Sequence, residues 1–222
     1  MSVQVSQSEF VHRFVPGAEP SGPTLLLLHG TGGNEDDLLP IGPMIAPGAA
    51  LLSPRGKMLE SGMPRFFRRF AEGQFDQQDL LFRTAELAGF IQWAAAKYGF
   101  DPKQLYAVGF SNGANIASSL LLRHPEALGG GILIRGMVPF RLAEPVDLSG
   151  KPVLLLNGKL DPIAPPAEAD ALRSILQSAN AAVELHWENA GHGLTSGDLT
   201  AARAWLSDKL AKVPVGQIGR RQ

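Results

Sequence analysis

Residues Gly109-Phe110-Ser111-Asn112-Gly113 form a G-x-S-x-G pattern. An apolar run, 104–110, leads into it, and a small-residue helical pattern, 113–123, leads out. That context fits a nucleophile elbow, a strained turn that holds a serine hydroxyl above a sheet. The flanking glycines would leave room for the neighbouring strand and helix. The bare pattern reads equally well as an ordinary turn, because Ser-Gly pairs are common in turns. The strand-turn-helix context favours the nucleophile. The N–H of Asn112 would then open a helix, where negative charge is favoured.

A serine attacks only if a base takes its proton, and the base needs an acid to orient it. Around an elbow the chain order is Ser, then Asp or Glu, then His. Functional loops also lie beyond the carboxyl ends of the strands. His12 and His29 precede the serine, His124 ends the following helix, and His186 lies inside a strand pattern. His192 follows that strand between Gly191 and Gly193, and it alone meets both conditions. Its bland reading is a surface-loop histidine. Asp147 precedes a strand, and Glu168 and Asp170 fall on a helix. Asp161 directly follows the apolar run 152–158, with an Asp-Pro turn as the competing reading. The candidate triad is therefore Ser111, Asp161 and His192. The histidines do not cluster with carboxylates at ligand spacing, so no metal site is expected.

A triad also needs donors for the negative oxygen of a tetrahedral intermediate. His29-Gly30-Thr31-Gly32-Gly33 follows the apolar run 24–29. A loop of this type supplies a backbone N–H, assigned to Thr31, with the N–H of Asn112 as the other. His29 reads as a structural histidine of that loop. Neither a G-x-G-x-x-G fingerprint nor a P-loop lysine is present, which argues against a phosphate cradle.

These residues need a scaffold. Continuous apolar runs at 24–29, 49–54, 104–110, 130–135 and 152–158 read as strands covered on both faces. Residues 182–188 alternate and read as nearer an edge, and 10–15 as an antiparallel edge strand. Helical spacing covers 79–98, 113–123, 166–179 and 197–211. The alternation predicts an α/β fold with a mainly parallel central sheet and helices on both faces. The expectation is one domain over 1–222, with 214–222 as a terminal extension. The connection 55–78 is unusually long and reads as either functional or disordered.

Bulk composition narrows the class. Twenty basic residues against 21 acidic ones give a net charge of −1, unlike a nucleic-acid binder. The absence of cysteine excludes disulfides and a thiol nucleophile. The N-terminus lacks the basic-then-apolar build of a secretory signal, and no apolar stretch is long enough to span a bilayer. A soluble, cytoplasmic protein is expected.

The stretches LLLLHGTGGNEDDLLP, PRG, GMPRFFRRFAEGQFD, VGFSNGANIASSLL, MVP, GKLDPI and ELHWENAGHGLT, taken together, say more than G-x-S-x-G alone. From about Thr24 to Leu210 the chain resembles the phospholipase/carboxylesterase group of α/β-hydrolases, which includes acyl-protein thioesterases, and its small bacterial carboxylesterase branch most of all. The resemblance implies an α/β-hydrolase fold with no large cap domain. It implies a Ser-Asp-His triad, a two-donor oxyanion hole and no cofactor. It also implies a small-molecule ester or thioester as substrate. Family members are often dimers, so a homodimer is expected. A dehalogenase or epoxide hydrolase would want an acidic residue at 111, and a peptidase of this fold an added domain or large cap. A non-catalytic binding protein on the same scaffold is the alternative.

The loop 55–78 should lie over the site. From it Met63, Phe66 and Phe67, with Met137 and Leu194 from other strand ends, are candidate substrate contacts; plain packing is the competing role. Arg55, Arg65, Arg68 and Arg69 either form a pocket for an acidic substrate or bond locally to loop carbonyls and to Glu60, Glu72 and Asp76. Local pairing is the preferred reading. Arg135 departs from the family pattern and reads as pocket-facing or as a surface residue.

Overall fold

The computed structural model describes residues 10–19, 22–140 and 146–211. The expected extension at 214–222 lies outside them. Among the described residues seven strands build the central sheet: β1 (His12–Val15), β2 (Thr24–Leu28), β3 (Ala50–Pro54), β8 (Leu105–Phe110), β9 (Gly130–Ile134), β10 (Pro152–Gly158) and β11 (Ala182–Glu188). Their order is β1-β3-β2-β8-β9-β10-β11. Among these seven only β1 runs antiparallel, pairing with β3 from His12↔Pro54 to Val15↔Leu51. The apolar runs read from sequence are these strands, and the alternating 182–188 run is an edge.

Helices cover both faces because the strands are apolar on both. Leu26 and Leu28 of β2 join a core with α2 (Gln77–Tyr98), α3 (Asn112–Arg123) and α4 (Pro166–Ser178). Leu25 and Leu27 point the other way, into a core with α1 (Gly42–Ile45) and α5 (Ser196–Ala211). Successive strand side chains alternate faces, so one leucine run feeds both cores. Asp76 caps α2 by accepting the Asp79 N–H at 3.1 Å, a contact worth about 1 kcal/mol.

The long connection is not irregular throughout. It folds into two small hairpins, β4 (Met58–Glu60) with β5 (Met63–Arg65), and β6 (Arg69–Ala71) with β7 (Gln74–Phe75). The first turns at Ser61 and Gly62, with φ of 51° and 81°. A two-residue turn of that hand matches the twist of its strands. Among the described residues no helix is long and apolar enough to cross a membrane.

Candidate active site

Ser111 stands between β8 and α3 at φ 52°, ψ −112°, a backbone region costly for a residue with a side chain. The turn is tight because α3 crosses very close to the sheet. A Cβ on Gly113 would meet the Leu28 carbonyl oxygen at 1.9 Å, and one on Gly109 the Gly113 oxygen at 2.5 Å. The Ser111 N–H donates to Ile134 O at 2.8 Å, tying the turn to β9. Asn112 is the first residue of α3, where the N–H has no acceptor within the helix.

The loops after β10 and β11 converge on this serine. His192 Nε2 lies 2.9 Å from Ser111 Oγ, and its Nδ1 lies 2.8 Å from Asp161 Oδ2. A carboxylate oxygen only accepts, so Nδ1 carries the proton and Nε2 accepts from the hydroxyl. Asp161 is held in turn, its Oδ1 accepting the N–H groups of Ile163 and Ala164 at 2.8 and 3.0 Å. Its side chain is fully buried, whereas the His192 side chain is 20% exposed. The arrangement joins a buried carboxylate to an imidazole that stays partly exposed.

The phospholipase/carboxylesterase family model matches residues 11–210. The chain belongs to this family. A putative hydrolase, MhqD of Bacillus subtilis (strain 168), is 47% identical over 186 residues, which are 84% of this chain and 93% of that one. The crystal structure of the Bacillus cereus carboxylesterase superposes with a TM-score of 0.89 at 50% identity, covering 90% of this chain and 95% of that one. The carboxylesterase from Mesorhizobium loti superposes at 0.81 with 32% identity, over 86% of this chain and 90% of that one.

In this α/β-hydrolase chain, the loop after β2 is braced from two directions. His29 Nδ1 donates to Gly30 O at 2.6 Å, while its Nε2 accepts the Gly56 N–H at 2.9 Å. The peptide is planar and trans, so fixing the Gly30 carbonyl also fixes the Thr31 N–H on its opposite side. Arg65 donates to Thr31 Oγ1 at 2.6 Å, and Gly32 N–H to Pro64 O at 2.9 Å. The hairpin β4–β5 thus backs the loop.

Burial holds His29 neutral by pushing its pKa below the ordinary 6.5, outweighing the opposing pull of the Gly30 bond, Asp37 and Glu35. The unfolded chain then binds a proton near pH 6.5 that the folded chain refuses. The stability this neutrality confers is complete above that value and is lost as the pH falls from there towards the folded pKa. Melting temperature is expected to drop on acidification below 6.5, and a His29→Asn variant should show a shallower drop. Equal slopes in a pH series of thermal melts would refute that role.

Three candidate substrate contacts sit in the core. Phe66 is 2% exposed, packs on His29, and donates its N–H to Asn112 Oδ1 at 2.7 Å. Phe67 is fully buried edge-on to Phe75. Met137 is 6% exposed, its N–H bonded to Asn115 Oδ1. The long connection tucks its aromatic pair beneath itself, because burying two phenyl rings stabilises more than displaying them. Met63 remains exposed against the Gly32 loop, and Leu194, two residues after His192, is half-buried against the core shared with α1 and α5.

The arginines pair locally. Arg68 meets Asp76 at 2.6 Å, and Arg69 meets Glu60 at 3.0 Å and also Glu72. Arg65 is buried and bonds Phe67 O and Glu60. Arg55 pairs with Glu35, outside the connection. Arg135 meets neither expectation: it is neither on the surface nor in the pocket, but fully buried in an ion pair with Asp198. Sequence reasoning also missed Phe110, whose ring packs on His192 with centroids 5.5 Å apart. Phe110 is the second residue of the elbow pattern, a position whose side chain the glycine spacing leaves open. Asp198 had a signal in Thr195-x-x-Asp198, a capping pattern at the start of α5.

Proposed function

We propose that the protein is a serine hydrolase that cleaves carboxylic esters, or thioesters, of small to medium acyl groups through an acyl-enzyme. The observation that carries this reading is the continuous hydrogen-bonded path from Ser111 Oγ through His192 to buried Asp161. Family membership and the carboxylesterases among its relatives support the same reaction class. In the first step Ser111 Oγ attacks the carbonyl carbon as its proton passes to His192 Nε2. The Thr31 and Asn112 N–H groups hold the oxyanion, each donor of this kind contributing about 3 kcal/mol. His192 then protonates the departing alcohol or thiol. Water, deprotonated by His192, hydrolyses the acyl-enzyme, and Asp161 keeps the imidazole oriented throughout. Met63 and Leu194 would border the acyl group. The proposed enzyme uses no cofactor. A cytoplasmic homodimer belongs to the same proposal, and sedimentation tests the assembly.

Mass spectrometry after treatment with a fluorophosphonate tests the nucleophile: the adduct is expected on Ser111. A protein left unlabelled would favour a binding protein on this scaffold. Asp161→Asn is expected to keep the fold and to lower kcat by about 10⁴-fold, because the amide favours the wrong imidazole tautomer. Initial rates on p-nitrophenyl butyrate measure it, and a loss under tenfold would remove Asp161 from its role. Matched ester and thioester panels of graded acyl length then define the substrate class.

A further inference from the structure

Arg135 follows β9 directly, in the left-handed region at φ 56°. That conformation is unfavourable for a residue with a side chain, and it persists where the surroundings enforce it. The side chain is 0% exposed, and so is that of Asp198. Apolar residues of similar volume often replace a buried ion pair without loss of stability, so stability alone is a weak reason for this one.

The hydrogen bonds supply a stronger reason. A guanidinium has five N–H donors, and each here has an acceptor. Nε donates to Gly191 O at 3.1 Å, and Nη2 donates to Gly193 O at 3.0 Å and to Asp198 Oδ2 at 2.8 Å. Nη1 donates to Leu156 O and Asp198 Oδ1, both at 3.0 Å. Gly191 and Gly193 are the residues on either side of His192. Asp198 also accepts the N–H and hydroxyl of Thr195 at 2.8 and 2.9 Å, while Thr195 Oγ1 accepts the Asp198 N–H. The carboxylate thereby fixes both the guanidinium and the start of α5. On the other side, Ile134, one residue before Arg135, accepts the Ser111 N–H at 2.8 Å. The backbone that holds the serine runs straight into the side chain that holds the histidine loop.

We propose that Arg135, locked by Asp198, is a positioning residue that sets His192 within reach of Ser111; this rests on the serine hydrolase reading. Arg135 touches no reacting atom. It acts on a loop whose two glycines would otherwise give His192 a wide choice of positions. A misplacement of about 1 Å is enough to lower a rate by about a hundredfold.

Arg135→Lys and Asp198→Asn test it. Lysine keeps the charge but carries its donors on one nitrogen, so it cannot span both glycine carbonyls and both carboxylate oxygens. Fluorophosphonate titration counts the competent sites in each variant, and kcat on p-nitrophenyl butyrate is expressed per titrated site, well below each melting temperature. The expected result is a fall in kcat of about 10- to 100-fold. KM should change little, and the downfield Nδ1–H proton signal of His192 should broaden. Unchanged kcat per titrated site in folded variants, with only a lower melting temperature, would overturn the proposal and leave Arg135 a purely structural residue. An unaltered protein that takes no adduct on Ser111 overturns the hydrolase reading first, and the positioning role with it.

Discussion

Ser111→Ala is expected to lower kcat for p-nitrophenyl butyrate by about a millionfold, the scale at which a triad loses its nucleophile. The change removes one hydroxyl, which lies 2.9 Å from His192 Nε2. That hydroxyl caps no helix end, since α3 has no side-chain cap bond at Ser111. Melting temperature should therefore stay close to that of the unaltered protein, and the two measurements separate chemistry from folding. The oxyanion donors would remain, leaving a residual rate above the uncatalysed reaction. Activity within tenfold of the parent would show that another group attacks.

Gly113→Ala should act on the fold instead. The added carbon would lie 1.9 Å from Leu28 O, 2.5 Å from Leu28 C and 2.7 Å from His29 O. All three are backbone atoms at the end of a central strand, so no flexible side chain can yield. Helix α3 would have to lift from β2, carrying the elbow with it. The expected cost is at least about 3 kcal/mol, or a fall in melting temperature of roughly 6–12 °C for a chain of this size. Gly89→Ala is the control, because nothing lies within 4 Å of its added carbon inside α2. Helix propensity makes that change neutral or stabilising by about 0.5–1 kcal/mol. Denaturant unfolding compares the two, and equal stability of the variants would sink the close-approach argument.

Much of the scaffold was legible because it is written in runs and periods. Apolar stretches became the parallel strands β2, β3, β8, β9 and β10, five to seven residues long. The hairpin β4–β5 was not legible, because its strands have three residues each, too few to establish an alternation. Burial in the 55–78 connection was equally hidden. Met63 and Phe67 look alike as apolar loop residues, yet one is 43% exposed and the other 0%. That difference depends on how the connection folds back on itself, bringing the Phe75 ring edge-on to Phe67, and residue type alone does not record it.

The sequence by itself determined the elbow and its glycine spacing. It also singled out Asp161 and His192, because chain order and strand ends are local properties of a parallel sheet. Only the tertiary structure decided what Arg135 is. Its side-chain acceptors lie 21, 56, 58 and 63 residues away. A buried guanidinium is tolerable only when packing brings such distant acceptors around it together, and no residue type or spacing near position 135 records that they will meet.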